Sequence, residues 1–336
     1  MLNPQLKLNP KIFNQDCEQE PIRKGFGEGL LEAGEKNKNV VALCGDLKDS
    51  TQMGLFAEKF PERFVEVGVA EQNLVTVASG MAIMGKIPFC GSYAIFSPGR
   101  NWEQIRTTIA YNDQPVKIVG SHAGVSVGAD GASHQATEDI ALMRVMPNME
   151  VFSPCDAIEA KKVTLILANP PAGRKKPAYI RLVRDKTPII TTEKTPFEIG
   201  KAQIFWMPDI GLAQVGIIAT GGFLHRALLA AKELEVEGVK TKVMNLSSVK
   251  PIDSNAIISL ARETKKIVTV EDHQIAGGIG SAVAEVLAQN YPVPMEFVGI
   301  KDKFGQSGKP DELIEYYGIG KNAIKKAVKK VLVRKI

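Results

Sequence analysis

Val67-Gly68-Val69-Ala70-Glu71-Gln72-Asn73 is the stretch on which the reading of this chain turns. The short apolar run at residues 65–67 reads as a strand. Residues 71–84 read as a helix rich in small side chains, among them Ala78, Ser79, Gly80 and Ala82. An acid therefore opens a helix directly after a strand. A glutamate in a first helical turn ordinarily compensates the helix dipole, so its surroundings decide whether it does more. Upstream, a helix pattern covers residues 22–37, a strand covers 40–44 and ends in Gly45-Asp46, and a second helix covers 52–60. Downstream, strands at 88–92, 116–120, 150–152 and 178–182 alternate with helices at 101–111, 137–144 and 156–168. Strands that alternate with helices predict a parallel sheet with helices on both faces.

Residues 184–206 break that rhythm and are rich in Thr, Pro and Lys, which reads as an interdomain connection. A second alternating set follows, with strands at 215–219, 240–245, 267–270 and 295–298. Helices lie between and after them at 223–235, 254–262, 280–290 and 310–315. The predicted fold class is α/β, with two doubly wound, mainly parallel domains. The predicted division is an arm at 1–20, a first domain at 21–190, a linker at 191–208 and a second domain at 209–336.

The chain has 336 residues, 44% of them hydrophobic and 24% charged, a balance that allows two full cores in a globular protein. No apolar run is long enough to span a bilayer, and residues 1–20 are polar with no signal core, so a cytoplasmic location is the default expectation. Cys17, Cys44, Cys90 and Cys155 show neither a CxxC pair nor metal spacing, and no metal site is expected on this chain. The net charge of +5 is mild. Lysines alternate with apolar residues over 321–335, as on a solvated helix face, and no aromatic residues interleave with them, so nucleic-acid binding is not expected.

Three further segments carry chemistry. Gly91-Ser92-Tyr93-Ala94-Ile95-Phe96 places two aromatics on one wall and runs through Ser97-Pro98-Gly99 to Arg100. Gly120-Ser121-His122, then Gly128-Ala129-Asp130-Gly131-Ala132-Ser133-His134-Gln135, hold two of the four histidines in a glycine-rich loop. A structural turn built on Asp130-Gly131 and a loose metal site are the bland readings of that loop. Arg184 follows the last strand of the first domain, at its carboxyl end, where parallel sheets place ligands.

VGVAEQN with its small-residue helix resembles the cofactor-activating motif of the transketolase superfamily of thiamine-diphosphate enzymes. GADGASHQ resembles the sugar-binding loop of transketolases, and the resemblance runs from about Arg23 to Lys325. It implies that Glu71 hydrogen-bonds the cofactor's aminopyrimidine, which needs a carboxyl group in a dry, apolar pocket. It implies that Tyr93 and Phe96 pack around that ring, with Arg100 and Asp46 also near the cofactor. His122 and His134 become catalytic and substrate-contacting histidines. Asp130 reads a sugar hydroxyl, and a site built to pair with a hydroxyl rejects analogues that lack it. Arg23, Ser50 and Arg184 match contacts to the substrate phosphate, where a guanidinium can donate two parallel hydrogen bonds. Tyr93 departs from the commoner Phe, and Ser97-Pro98-Gly99 departs from the usual spacing.

The resemblance further implies a pyrimidine-binding domain followed by a transketolase C-terminal domain. Val270-Glu271-Asp272-His273 and Phe304-Gly305-Gln306-Ser307-Gly308-Lys309-Pro310 belong to the latter, where His273 and Gly277 read as packing residues. Ala219-Thr220-Gly221-Gly222 opens a helix there without a full phosphate-binding glycine pattern. The GDG…Asn motif that holds the cofactor diphosphate and its Mg2+ (or Ca2+) does not occur here, since Leu47 follows Gly45-Asp46. An amino-terminal partner subunit is thus expected to carry both, in an assembly of two copies of each chain (α2β2). The implied activity is two-carbon ketol transfer between sugar phosphates in the pentose phosphate pathway. Three alternatives stay open: a 1-deoxy-D-xylulose-5-phosphate synthase fragment, a 2-oxo-acid dehydrogenase beta-type subunit, and a regulatory or orphan subunit with no activity.

Overall fold

The structure is a computed structural model that describes residues 1–171 and 174–334, so the Lys335 end of the basic tail and of the second domain lies outside the described residues. In chain order the first part contains β1 (Gln19–Pro21), β2 (Val40–Cys44), β3 (Phe64–Glu66), β4 (Ile87–Tyr93), β5 (Lys117–Ser121), β6 (Glu150–Phe152) and β7 (Ala178–Arg181). Then come β8 (Lys186–Pro188), β9 (Gln203–Trp206), β10 (Val215–Ala219), β11 (Thr241–Asn245), β12 (Ser248–Lys250), β13 (Ile267–Gln274) and β14 (Met295–Ile300).

The first sheet has the order β12-β6-β7-β5-β4-β2-β3 and is parallel from β6 to β3. β2 is buried along its whole length, as a central strand covered by helices on both faces must be. Its side chains alternate between two cores: Val41 and Leu43 face one, and Val40, Ala42 and Cys44 face the other. The second core is closed by helix Ile22–Lys36 lying against helix Ala157–Ala168, and Gly25 lets their backbones meet. The second sheet has the order β14-β13-β10-β11-β9, parallel except for β9. Mainly parallel sheets with helices between their strands make both domains α/β, as expected.

Four details differ from the sequence reading. The segment read as a connection forms two strands: β8 pairs antiparallel with β1, and β9 becomes the edge of the second sheet. β12, from the second half of the chain, adds antiparallel to β6 and so welds the two sheets into one body. The amino-terminal arm is docked rather than free. Leu2 bridges to Trp206, Asn3 N–H donates to the Phe205 carbonyl at 2.9 Å, and Ile12 is buried in the core of the second sheet, with Phe205 and Val215. The helix expected at 101–111 is a single α-turn, Trp102–Gln104, that widens into a π-helix, Ile105–Ala110. π-turns are rare and occur mostly as short insertions within α-helices.

All four cysteines are free and buried. Among the described residues no helix is long and apolar enough to cross a membrane, and no group of three His, Cys, Asp or Glu side chains is placed to hold a metal ion.

Candidate active site

Parallel strands end on the same side, so the loops that follow β2, β3, β4, β5 and β7 converge. Among the candidate site residues, Tyr93 ends β4, Arg23 comes from the first turn of helix Ile22–Lys36, and all the others sit in or just after one of these loops.

Glu71 is the first residue of helix Glu71–Ile83, whose Leu74, Val75, Ala78 and Ala82 face the core. Its small face lets the π-helix approach, and Ser79 Oγ donates to the Thr108 carbonyl at 2.6 Å. Glu71 itself is 6% exposed. Among the described residues no hydrogen bond reaches its carboxyl oxygens; its charged neighbour is Arg100, with Nη1 3.9 Å from Oε2. Arg100 is mostly exposed and lies over the Phe96 ring at 5.3 Å. A carboxyl this little exposed, with only a distant guanidinium beside it, has acceptor capacity to spare for a further partner.

The register of β4 on β5 sets Tyr93 opposite Ser121, next to His122. The Tyr93 and His122 rings stack at 3.9 Å and 22°. Tyr93 and Phe96 lie nearly parallel at 6.1 Å, and His134 stands edge-on to Phe96 at 5.4 Å. The aromatics and both histidines thus form one wall. His122 has φ 57°, a left-handed conformation uncommon for a side chain of this size. Its Nδ1 is 2.9 Å from Ser121 Oγ. Burial first, then the charges of Arg23, Arg184 and His134, hold its pKa down at about 3, so the ring is neutral at ordinary pH and offers a lone pair as a hydrogen-bond acceptor.

The basic edge is built around Arg23, whose Nη1 donates to the Ser50 carbonyl at 2.7 Å. Its Nε is buried and has no partner among the described residues. Burial lowers the Arg23 pKa, and the charge of Arg184 acts in the same direction, so the two guanidiniums share one field. Arg184 donates through Nη1 to the Val127 carbonyl and lies 4.0 Å from the Asp130 carboxylate. Asp130 is exposed, at the tip of the loop. Asp46 stands apart from this group: its N–H donates to Glu66 Oε1 at 2.7 Å, and it lines a recess of about 440 Å³ with Ser50 and Phe64.

Several supporting residues escaped the sequence reading. Asn101, fully buried, donates through Nδ2 to the Glu71 carbonyl at 2.9 Å and to Ser97 Oγ at 3.1 Å. Gln135 Nε2 donates to the carbonyls of Val125, Gly128 and Gln306 and ties the histidine loop to the second domain. Asp272 Oδ1 accepts from the Val125 N–H at 3.1 Å, beneath the same loop. The altered spacing before Asn101 was a signal for the first; the other two stand in motifs quoted above, but their partners Gln306 and Val125 lie far off in the chain, so these roles leave no local trace. His273 is fully buried, with Nδ1 2.7 Å from the Gln274 carbonyl.

Comparison with known proteins gives a consistent picture. Residues 19–189 match the family described as "Transketolase, pyrimidine binding domain", and residues 212–324 match "Transketolase, C-terminal domain". A Methanocaldococcus jannaschii protein provisionally named a transketolase C-terminal section is 45% identical over 310 residues, 91% of this chain and 95% of the relative. The 6-deoxy-6-sulfo-D-fructose transketolase subunit SqwH of Clostridium sp. (strain MSTE9) is 38% identical over 96% of this chain and 98% of its own length. A solved structure described as "Split gene transketolase, inactive beta4 tetramer" superposes with a TM-score of 0.86 at 42% identity, covering 94% of this chain and 99% of that one.

Proposed function

The chain belongs to the transketolase family, as the C-terminal section of a split enzyme, and from that premise we propose that its site is the pyrimidine- and sugar-facing half of an active centre completed by a separate amino-terminal chain. The observation that carries this is Glu71: a largely buried carboxyl whose oxygens accept no hydrogen bond among the described residues is open to a partner from outside the chain. A flat aminopyrimidine meets that need and also suits the Tyr93–Phe96 wall beside it. When bound, thiamine diphosphate supplies the carbon nucleophile for two-carbon transfer. Its diphosphate and Mg2+ or Ca2+ are assigned to the partner, and Arg100 and Asp46 of this chain line the cofactor's approach.

This chain's residues then do four things. Glu71 shares a proton with the ring nitrogen facing it, a task that requires a carboxyl held away from water. His122, stacked on Tyr93, accepts a hydrogen bond from a sugar hydroxyl and orients it for proton movement, and His134 serves the same chemistry from the opposite edge of the wall. Asp130 pairs with a hydroxyl of the sugar. Arg23, Ser50 and Arg184 hold the anionic tail; the unpartnered Arg23 Nε supports that role.

The donor and acceptor are ketose and aldose phosphates, in the pentose phosphate interconversions of the cytoplasm. The Clostridium relative is named for a sulfo-sugar, and a sulfonate tail presents the same oxyanion to a pair of arginines. The solved relative's description as an inactive beta4 tetramer supports self-association and a need for the partner, which we assign as an α2β2 complex. None of the three relatives is a deoxyxylulose-phosphate synthase or a 2-oxo-acid dehydrogenase subunit. The test is reconstitution with the amino-terminal section, thiamine diphosphate and Mg2+. Transfer from xylulose 5-phosphate to ribose 5-phosphate is expected. Condensation of pyruvate with glyceraldehyde 3-phosphate, 2-oxo-acid decarboxylation alone, or inertness overturns the assignment.

A further inference from the structure

Tyr93 takes part in both halves of the site. Its ring stacks on His122 within the aromatic wall, and its hydroxyl donates to Ser50 Oγ at 3.3 Å. Ser50 is fixed from a second direction, because Arg23 Nη1 donates to its carbonyl at 2.7 Å. The phenol is a stronger acid than the serine alcohol and therefore the better donor. With the proton order Tyr93 O–H to Ser50 Oγ, the serine's own hydrogen is left free to donate elsewhere. Accepting one hydrogen bond also polarises the serine O–H and strengthens it as a donor. Beside it lies the Arg23 guanidinium, whose Nε has no partner among the described residues, and the charge of Arg184 acts on Arg23 in turn.

We propose that Tyr93 is a positioning residue for substrate specificity: its hydroxyl orders and polarises Ser50 so that the serine donates to the terminal oxyanion of the sugar. A phenylalanine would leave the wall intact but let the Ser50 hydroxyl turn freely. The inference rests on the reading of Arg23, Ser50 and Arg184 as the site of the anionic tail.

The test compares Tyr93→Phe, Ser50→Ala and the double variant in the complex with the amino-terminal section. KM and kcat are measured for xylulose 5-phosphate and for unphosphorylated erythrulose, with thermal melting as the folding control. Tyr93→Phe is expected to raise the ratio of the two KM values, phosphorylated over unphosphorylated, roughly 3- to 10-fold, the range of one weakened charge-assisted hydrogen bond. In the Ser50→Ala background it should raise the ratio no further, since its effect runs through the serine. An unchanged ratio in Tyr93→Phe, with a raised one in Ser50→Ala, overturns the role of Tyr93 and leaves the tail site standing. An equal rise in both backgrounds means that Tyr93 acts directly, which also overturns it. If neither Ser50→Ala nor Arg23→Ala moves the ratio, the tail site itself is wrong and the inference falls with it.

Discussion

Replacing Asp139 with alanine should destabilise the whole chain and loosen the histidine loop. Asp139 is 1% exposed and Arg181 3%, with Arg181 Nε 2.9 Å from Asp139 Oδ2 and 3.2 Å from Oδ1. Tyr179 donates its hydroxyl to the same carboxylate at 2.8 Å, and Arg181 Nη2 donates to the Asp272 carbonyl of the second domain at 2.6 Å. The pair therefore sits where the two sheets meet, and Asp272 is the residue that receives the Val125 N–H under the loop. Without Asp139 a guanidinium and a phenol are left in a dry interior, which costs about 3–5 kcal/mol. At about 2 °C per kcal/mol for a chain of this size, Tm should fall by roughly 6–10 °C in a calorimetric scan. Removing both charges, as in Asp139→Leu with Arg181→Met, should not restore Tm, because the buried Asp272 carboxylate, whose Oδ2 has no hydrogen-bond partner among the described residues, then loses the Arg181 charge that offsets its burial. Hydrogen exchange over residues 122–135 should rise in Asp139→Ala. A fall in Tm of under about 2 °C in Asp139→Ala, or a double variant as stable as the wild type, would refute the reasoning.

Stability should also depend on His122. Its folded pKa of about 3 lies below the ordinary value of about 6.5 that it regains on unfolding, so the unfolded chain binds the extra proton between those limits. Acidification from pH 7 therefore removes stability across that window, and His122→Gln should make the decline of Tm between pH 7 and pH 4 shallower; an unchanged slope contradicts the burial argument. Gly25→Ala should lower Tm as well, because the added methyl would overlap the Ala157 carbonyl oxygen where two helices meet backbone to backbone. The expected cost is about 1–3 kcal/mol, measured by urea unfolding, and a neutral result would show that the helices separate freely.

The alternation of strands and helices was legible in the sequence because each element is local: an apolar run, a period of 3.6, a small-residue face. β2 and helix Glu71–Ile83 were read within a residue of their ends for that reason. β12 was not, because three residues, Ser248 to Lys250, carry no period, and their partner β6 lies about a hundred positions earlier. β8 and β9 hid in a stretch whose Thr, Pro and Lys look like linker but whose backbone groups still find ladder partners. The π-helix at Ile105–Ala110 was read as ordinary helix since its side chains are those of one. For the site, residue types and loop order were legible through the family's motifs. Which groups meet was not: that His122 stacks on Tyr93, or that the Asp46 N–H donates to Glu66 Oε1 while Asp130 nears Arg184, depends on strand register and loop closure.

The most direct measurement follows the thiazolium C2 proton of thiamine diphosphate in the complex of this chain with its amino-terminal section, by NMR-detected exchange with deuterium. Glu71→Gln keeps the shape of the side chain and removes its ability to share a proton. The account predicts exchange slowed by roughly 10²–10⁴-fold with the Tm of the chain undiminished, since no hydrogen bond to that carboxyl is lost within it. Exchange at the wild-type rate in the Glu71→Gln complex would contradict it.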